Sequence, residues 1–132
     1  MRAIREPFIL LAAQAVIVAV ALAAGLPSVA GEVEVVGVNV VKSAAGVYRF
    51  DVTLRHTDEG WSHYADRWQV FDAQGHVLGT RVLLHPHVNE QPFSRSKRLT
   101  LPDGAGISRV TVRGHDKLHG WGGRALVVEL PE

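Results

Sequence analysis

Cysteine is absent from the 132-residue sequence, and Met1 is its single methionine. Without cysteine the chain forms no disulfide, so a small exported domain of this sequence must be held together by packing alone. The same absence excludes a blue-copper centre, which needs a thiolate ligand. Because soft sulfur ligands are missing, a copper(I) site is disfavoured relative to a zinc(II) or copper(II) site.

An excess of charge of one sign is also lacking. After residue 30 the chain carries 12 basic residues (14 less Arg2 and Arg5) and 12 acidic residues (13 less Glu6). Binding to nucleic acid needs a basic patch, so we predict no nucleic-acid partner. No long amphipathic helix pattern follows residue 30, and the HExxH motif of metalloproteases does not occur.

The first thirty residues have the features of an export signal. A basic start, Met1–Arg5, precedes an apolar run, Phe8–Leu26, which is followed by the helix breaker Pro27 and the small residues of Ser28–Ala30. We predict that residues 1–30 form a signal helix that is cleaved after residue 30. Because the run approaches the roughly 17–25 residues that span a bilayer, an uncleaved N-terminal anchor is the alternative, and only then would a membrane be a partner. Residues 31–132 are predicted to be one domain, periplasmic or secreted.

The rest of the chain shows short segments in which apolar and polar residues alternate, bounded by Gly, Pro, Asp and Asn. Seven strands are predicted: Val33–Val41, Val47–Leu54, Tyr64–Phe71, His76–Leu84, Lys97–Leu101, Ile107–Gly114 and Arg124–Leu130. The inward-facing residues are predicted to be Tyr48, Phe50, Val52, Leu54, Tyr64, Trp68, Val70, Val110, Val112, Leu126, Val128 and Leu130. This pattern predicts an all-β, seven-stranded sandwich of the immunoglobulin or fibronectin type III kind, with Trp68 as its central tryptophan. An open barrel is the alternative fold.

Six of the seven histidines fall on three of the predicted loops. They form one pair in each loop: His56 and His63 between strands two and three, His85 and His87 between strands four and five, and His115 and His119 between strands six and seven. If successive strands alternate in direction, these three loops emerge at the same end of the sandwich. His76 is then left at the opposite end.

The spacing within two of these pairs suits a shared metal ion. Pro86 favours an extended backbone, and residues two apart in an extended chain point to the same side, so His85 and His87 are expected to lie side by side. A single helical turn would bring His115 and His119 onto one face. The carboxylates of the same loops are candidate oxygen ligands, or acceptors that orient a ligating ring: Asp58, Glu59, Glu90 and Asp116.

The sequence therefore predicts an exported protein that holds a divalent transition metal with a histidine cluster. The proposed ligands are His63, His85 and His87, completed by His115 or His119. Further candidates are His56, which a hydrogen bond to a loop carbonyl would explain equally well, and Glu90. Imidazole suits zinc and copper, so we expect a copper or zinc ion as the cofactor.

Two tryptophans suggest a second class of function. Trp61 and Trp121 each follow a glycine in two of the histidine loops. They could close the end of the core, form an apolar wall beside a metal, or offer an aromatic platform to a sugar or a peptide. The alternative function is thus a module that binds a periplasmic protein or a glycan. An enzyme would need the metal, an open coordination position and a general base such as Glu90, and the sequence indicates neither such a position nor a substrate.

Two segments resemble those of small exported bacterial proteins that are uncharacterised as a group. These are Gly60–Trp68, which reads GWSHYADRW, and Leu83–Phe93, which reads LLHPHVNEQPF. The resemblance covers most of residues 31–132. It implies a periplasmic sandwich domain and no particular activity, so it assigns no functional residue.

Overall fold

The computed structural model describes residues 31–102 and 106–132, and the predicted signal segment lies outside these ranges. The described residues form eight strands: β1 (Glu34–Ala44), β2 (Val47–Arg55), β3 (Ala65–Phe71), β4 (Val77–Val82), β5 (Phe93–Thr100), β6 (Arg109–Asp116), β7 (Gly120–Trp121) and β8 (Leu126–Glu129). No helix forms within these ranges. Accordingly, none of the described segments offers an apolar helix long enough to cross a membrane.

The strands make two antiparallel sheets. One sheet has the order β1–β2–β5, and the other has the order β4–β3–β6, with both β7 and β8 paired to β6. The sheets face each other, because β1 contacts β6 and β8 while β4 contacts β5. The prediction of an all-β protein is confirmed, and two open sheets agree with a sandwich rather than a barrel. The described residues contain one strand more than predicted, the two-residue β7.

The core lies between the sheets and is built from the predicted alternation. Most of the residues predicted to face inward are buried, and Tyr48 and Leu130 are half-buried against the others. Trp68 is completely buried at the centre of β3. Alternation with a period of two is thus sufficient to identify the inner face of each sheet.

Four strands extend beyond their predicted limits: β1 reaches Ala44, β2 reaches Arg55, and β5 and β6 are extended next to the site. β5 begins at Phe93, because its polar residues pair along β2, for example Ser94 with Thr53. β6 continues to Asp116, two residues past its predicted end. The predicted helical turn from His115 to His119 is therefore wrong: His115 lies in a strand, and residues 117–119 form a tight turn into β7.

Because neighbouring strands are antiparallel, three loops meet at one end of the sandwich. We call this the histidine end; it comprises the first loop (residues 56–64), the second loop (residues 83–92) and the third loop (residues 117–125, including β7). Hydrogen bonds join the first loop to the second, from the His56 N–H to Gln91 Oε1 at 2.9 Å and from the His87 N–H to Asp58 Oδ2 at 2.7 Å. The meeting of these loops, inferred from strand order, is thus a feature of the fold.

Candidate metal centre

A buried group of two histidines and one aspartate lies at the histidine end. His56, His63 and Asp116 each offer a potential ligand atom, and these atoms lie within 4.8 Å of one another. Asp116 Oδ2 is 3.1 Å from His56 Nε2 and 3.7 Å from His63 Nε2. The rings of the two histidines meet edge to face, with centroids 4.9 Å apart. This group could hold a metal ion.

Strand ends position these three side chains. His56 directly follows β2, and Asp116 is the last residue of β6. Alternation along β6 turns Val112, Gly114 and Asp116 toward the interior, and all three are buried. His63 comes from the first loop, two residues before β3. The group is therefore assembled from both sheets.

The second nitrogen of each ring is held by a carboxylate. The Nδ1–H of His56 donates to Asp58 Oδ1 at 2.5 Å, and the Nδ1–H of His63 donates to Glu59 Oε1 at 2.5 Å. Metal-ligating histidines usually donate their other ring N–H in this way, which fixes the tautomer and raises the basicity of the ligand nitrogen. Both rings consequently direct Nε2 toward Asp116.

Asp116 is held as a charged carboxylate. Its Oδ1 accepts the backbone N–H groups of Leu118, at 2.7 Å, and of His119. Burial raises the pKa of Asp116, but these backbone hydrogen bonds and that from the His119 side chain outweigh burial and leave the pKa below its ordinary value. Oδ2 is directed at the histidine rings: it accepts the Nδ1–H of His119 at 3.1 Å and lies 3.1 Å from Nε2 of His56.

A second buried carboxylate, that of Asp58, holds the His56 ring in place. Besides the His56 ring, Asp58 accepts the N–H groups of Ala65, at 3.0 Å, and of His87, at 2.7 Å. Burial raises the pKa of Asp58, and the hydrogen bond from His56 with those from His87 and Ala65 lowers it further than burial raises it. Asp58 therefore carries a negative charge that ties the first loop to β3 and to the second loop.

Nε2 of His56, the atom that would bind a metal ion, lies within hydrogen-bonding distance of two acceptors, the Gly31 carbonyl and Asp116. Burial lowers the pKa of His56, but the hydrogen bonds to Asp58 and to the Gly31 carbonyl, together with the charges of Asp58 and Asp116, raise it above its ordinary value. With Nδ1 donating to Asp58, the additional proton belongs on Nε2. A metal ion would displace this proton, as ligation of imidazole requires.

The predicted pair His85 and His87 lies side by side, with ring centroids 4.6 Å apart. However, the Arg95 guanidinium donates to His87 Nε2 at 2.8 Å, and the His87 ring stacks on Phe93 at 3.9 Å. His87 Nδ1 is buried without a hydrogen-bond partner, 4.0 Å from an Asp58 oxygen. Burial, and then the charges of Arg95 and His85, lower the pKa of His87. Because Nε2 accepts from Arg95, the ring proton lies on Nδ1, and neither nitrogen of His87 offers a free lone pair to a metal ion.

The other predicted ligands, His119, His115 and Glu90, lie in three different surroundings. The His119 ring lies 4.9 Å from the His63 ring and borders the buried group. His115, by alternation, lies on the opposite face of β6, where its Nδ1–H donates to Asp66 at 2.6 Å. Glu90 is exposed, and its carboxylate is 3.7 Å from Arg95 and 3.9 Å from His87 Nε2. The structure thus brings His56, His63 and His119 together and leaves His115 apart.

The two loop tryptophans have different surroundings. Trp61 is 65% exposed and contacts Tyr64 edge to face. Trp121 is half-buried between Phe71 and His115, with the Arg67 guanidinium over its ring. Of these two tryptophans, Trp61 is the one with an aromatic face open to a ligand.

Asp116 is the member of the site that sequence reasoning used least. The sequence predicts it as an oxygen ligand or an orienting acceptor, outside the proposed set of ligands. The signal that could have placed it is the inward series Val110, Val112, Gly114 and Asp116, which continues the alternation of β6 through its polar end.

The fold and the site define an all-β, two-sheet protein with a buried His–His–Asp group able to hold a metal ion. The chain is similar to a protein of Halomicrobium mukohataei described as "Putative lipoprotein", with 45% identity over 98 residues, 74% of this chain and 47% of the relative. The chain thus spans about half the length of that relative. This similarity supports a relationship to uncharacterised microbial proteins. That such proteins share the segments Gly60–Trp68 and Leu83–Phe93 is still a prediction. No family model and no solved structure matches the chain.

Proposed function

We propose that the protein is an exported domain that binds one divalent transition-metal ion, copper(II) or zinc(II), through His56 Nε2, His63 Nε2 and Asp116 Oδ2. The observation that carries this proposal is that these three atoms converge, while Asp58 accepts the Nδ1–H of His56 and Glu59 accepts that of His63. Imidazole and carboxylate ligands suit both metals.

The charges around the site support a cation there. Asp58 and Asp116 are both buried and carry lowered pKa values. Burying a charge is costly unless it is compensated. The His56 ring, whose pKa is raised, lies between these two carboxylates. A divalent ion bound to the neutral ring would add a further positive charge.

The fold and the location belong to the same proposal. The order β1–β2–β5 facing β4–β3–β6–β8 supports an immunoglobulin- or fibronectin-III-like sandwich of seven main strands. The apolar run Phe8–Leu26 and the name of the lipoprotein relative support an exported or membrane-anchored protein, in the periplasm or outside the cell. A buried site suits storage, delivery or sensing of a metal better than catalysis, which needs an open coordination position.

Elemental analysis tests the metal site. We expect about one zinc or copper ion per chain in the full chain, purified without an affinity tag, loaded and desalted. His63→Ala should abolish retention. His76→Ala removes an exposed histidine paired with Asp72, and His115→Ala removes a ring on the far face of β6, so both should retain the ion. Less than about 0.1 ion per wild-type chain would reject the proposal.

A second candidate function is favoured by exposed apolar side chains around the site. Trp61, Leu84, Val88 and Leu118 lie on the three loops of the histidine end and are 65%, 77%, 52% and 66% exposed. Such a rim suits a glycan or protein partner. Binding on a glycan array that Trp61→Ser abolishes, without loss of metal, would support a glycan partner; no binding by either protein would reject it.

A further inference from the structure

We infer that the backbone carbonyl oxygen of Gly31 is a fourth ligand of the metal ion, which closes the site into a tetrahedral centre and favours zinc over copper(II). This inference rests on the proposed function, because it assigns a coordination number and a metal to the same site. It also gives a role to the residue that would follow the predicted signal cleavage.

The distances around Gly31 carry the inference. Its carbonyl oxygen is 2.8 Å from His56 Nε2 and 3.4 Å from His63 Nε2, while Asp116 Oδ2 is 3.1 Å and 3.7 Å from the same two nitrogens. In a tetrahedral zinc site with bonds of about 2.0–2.1 Å, neighbouring ligand atoms lie roughly 3.3 Å apart. The four separations lie on both sides of this value. Each of the two nitrogens thus lies at a separation from both oxygens close to that of neighbouring ligands in a tetrahedral zinc site.

The carbonyl group is held in this place by the segment that follows it. Val33 is completely buried, and Glu32 Oε1 accepts the Gly123 N–H at 2.9 Å. Gly123 has a φ of +69°, and a Cβ there would lie 2.0 Å from the Val33 carbonyl oxygen. The third loop thus packs directly on residues 31–33, and glycine at position 123 permits the contact.

Position 31 also requires glycine. Its φ is +94°, and a Cβ at this position would lie 2.6 Å from Cε1 of His119. Only a residue without a side chain brings its carbonyl this close to the histidine rings without displacing one of them. His119 contacts Gly31 on this side and donates to Asp116 Oδ2 on the other, so it positions two ligands without being one.

Four protein ligands distinguish zinc from copper(II) and a holding site from a catalytic one. Copper(II) prefers square-planar or tetragonal coordination, whereas zinc accepts tetrahedral nitrogen and oxygen ligands. Structural zinc sites use four protein ligands, and catalytic sites leave a position for water. With Gly31 bound, no position remains for an external ligand.

Cobalt(II) substitution in the full chain tests this closure. We expect the wild-type protein to give the intense visible absorption of four-coordinate cobalt, unchanged by sodium azide. In Gly31→Ala the carbonyl should be displaced and a solvent position opened. Azide should then change the spectrum, and zinc affinity should fall by about 10–100-fold. Gly75→Ala is the matched control, because Gly75 also has a positive φ, +89°, but lies in the β3–β4 turn with open space around it.

The outcomes separate this inference from the proposed function. If azide perturbs the wild-type spectrum, or if Gly31→Ala matches the wild type in both measurements, Gly31 is not a ligand, and loss of metal in His63→Ala still supports the site itself. If the wild-type chain takes up no metal, the proposed function fails. Should Gly31→Ala not fold, X-ray absorption of the zinc-loaded wild type decides, because a shell of five or six ligands would overturn four-coordination.

Discussion

At the scale of single residues, Asp58 joins the first loop to β3 and to the second loop. One carboxylate accepts a ring N–H from His56 and backbone N–H groups from Ala65 and His87. An amide in its place cannot accept at both positions, so buried donors lose their acceptor. Removing one partner of a buried charged pair costs roughly 3–5 kcal/mol.

We expect Asp58→Asn to lower the free energy of unfolding of the metal-free protein by about 3 kcal/mol, measured by urea denaturation. Asp66→Asn is the control: Asp66 pairs with His115, but both side chains are partly exposed. Its loss should stay below about 1 kcal/mol. Equal losses in the two variants would show that the hydrogen bonds of Asp58 stabilise the protein no more than a partly exposed ion pair does.

His87 gives the protein a predictable response to acid. Its lowered pKa follows from burial and then from the nearby charges of Arg95 and His85, against which Glu90 and Asp58 act in the opposite direction. Between the lowered folded pKa and the unfolded value of 6.5, the unfolded chain binds one proton more than the folded chain. His87 therefore makes the free energy of unfolding decrease as pH falls from about 7 to its folded pKa, by up to about 1.4 kcal/mol per pH unit.

His87→Gln should remove this component. With a chelator present, the stability of the wild type relative to the variant should decrease as pH falls below about 6.5 and level off below the folded pKa. His56 and His63 have raised pKa values. Both histidines stabilise the folded protein fully below pH 6.5 and lose this contribution at higher pH. Because the wild type and the variant both contain them, they do not change the difference in stability between the two. A difference that stays constant from pH 7 to pH 5 would contradict a buried neutral His87.

At the scale of strands, close packing between the sheets depends on glycine at one point of β4. A Cβ at Gly79 would lie 2.2 Å from one Leu99 methyl group and 2.8 Å from the other, across the contact of β4 with β5. Added volume in a packed core costs about 1–3 kcal/mol.

Gly79→Ala should therefore lower the free energy of unfolding by about 1–3 kcal/mol, measured by chemical denaturation, without loss of bound metal. Gly37→Ala in β1 is the comparison, because a Cβ there would make only an ordinary contact, 3.7 Å from Thr53. If the two variants are equally stable, Leu99 moves aside without cost and the sheets are less tightly packed than the structure indicates.

The strands also show what sequence reasoning can and cannot reach. Alternation in apolar segments identified the inner faces, as for Val110 and Val112, and strand order brought the three loops together. At the polar end of β6 the alternation continues without apolar residues to mark it, so the apolar pattern alone does not predict the extension through His115 and Asp116. That extension decides which of the two adjacent side chains faces the site. Hydrogen bonding is equally hidden in spacing: nothing in the order of residues shows that Arg95 takes the ring nitrogen of His87.

At the scale of the whole molecule, the proposed centre connects segments that are distant in sequence and have no covalent cross-link between them. His56 and His63 belong to the first loop, Asp116 ends β6, and Gly31 precedes β1. The chain has no cysteine, so a metal ion would be the main cross-link between these segments. Metal binding should consequently be coupled to the stability of the whole domain.

Zinc at a free concentration of about 100 times its dissociation constant should add roughly 2.7 kcal/mol to the free energy of unfolding. For a domain of about 100 residues this corresponds to an increase in Tm of roughly 10–20 °C. We expect calorimetry to show this increase in the wild type and in His76→Ala, and a chelator to reverse it, because His76 lies at the end opposite the site. In His63→Ala the increase should vanish. An equal shift in that variant would mean that zinc stabilises the protein from another position, and a wild-type Tm unaffected by zinc would mean that these segments hold together without it.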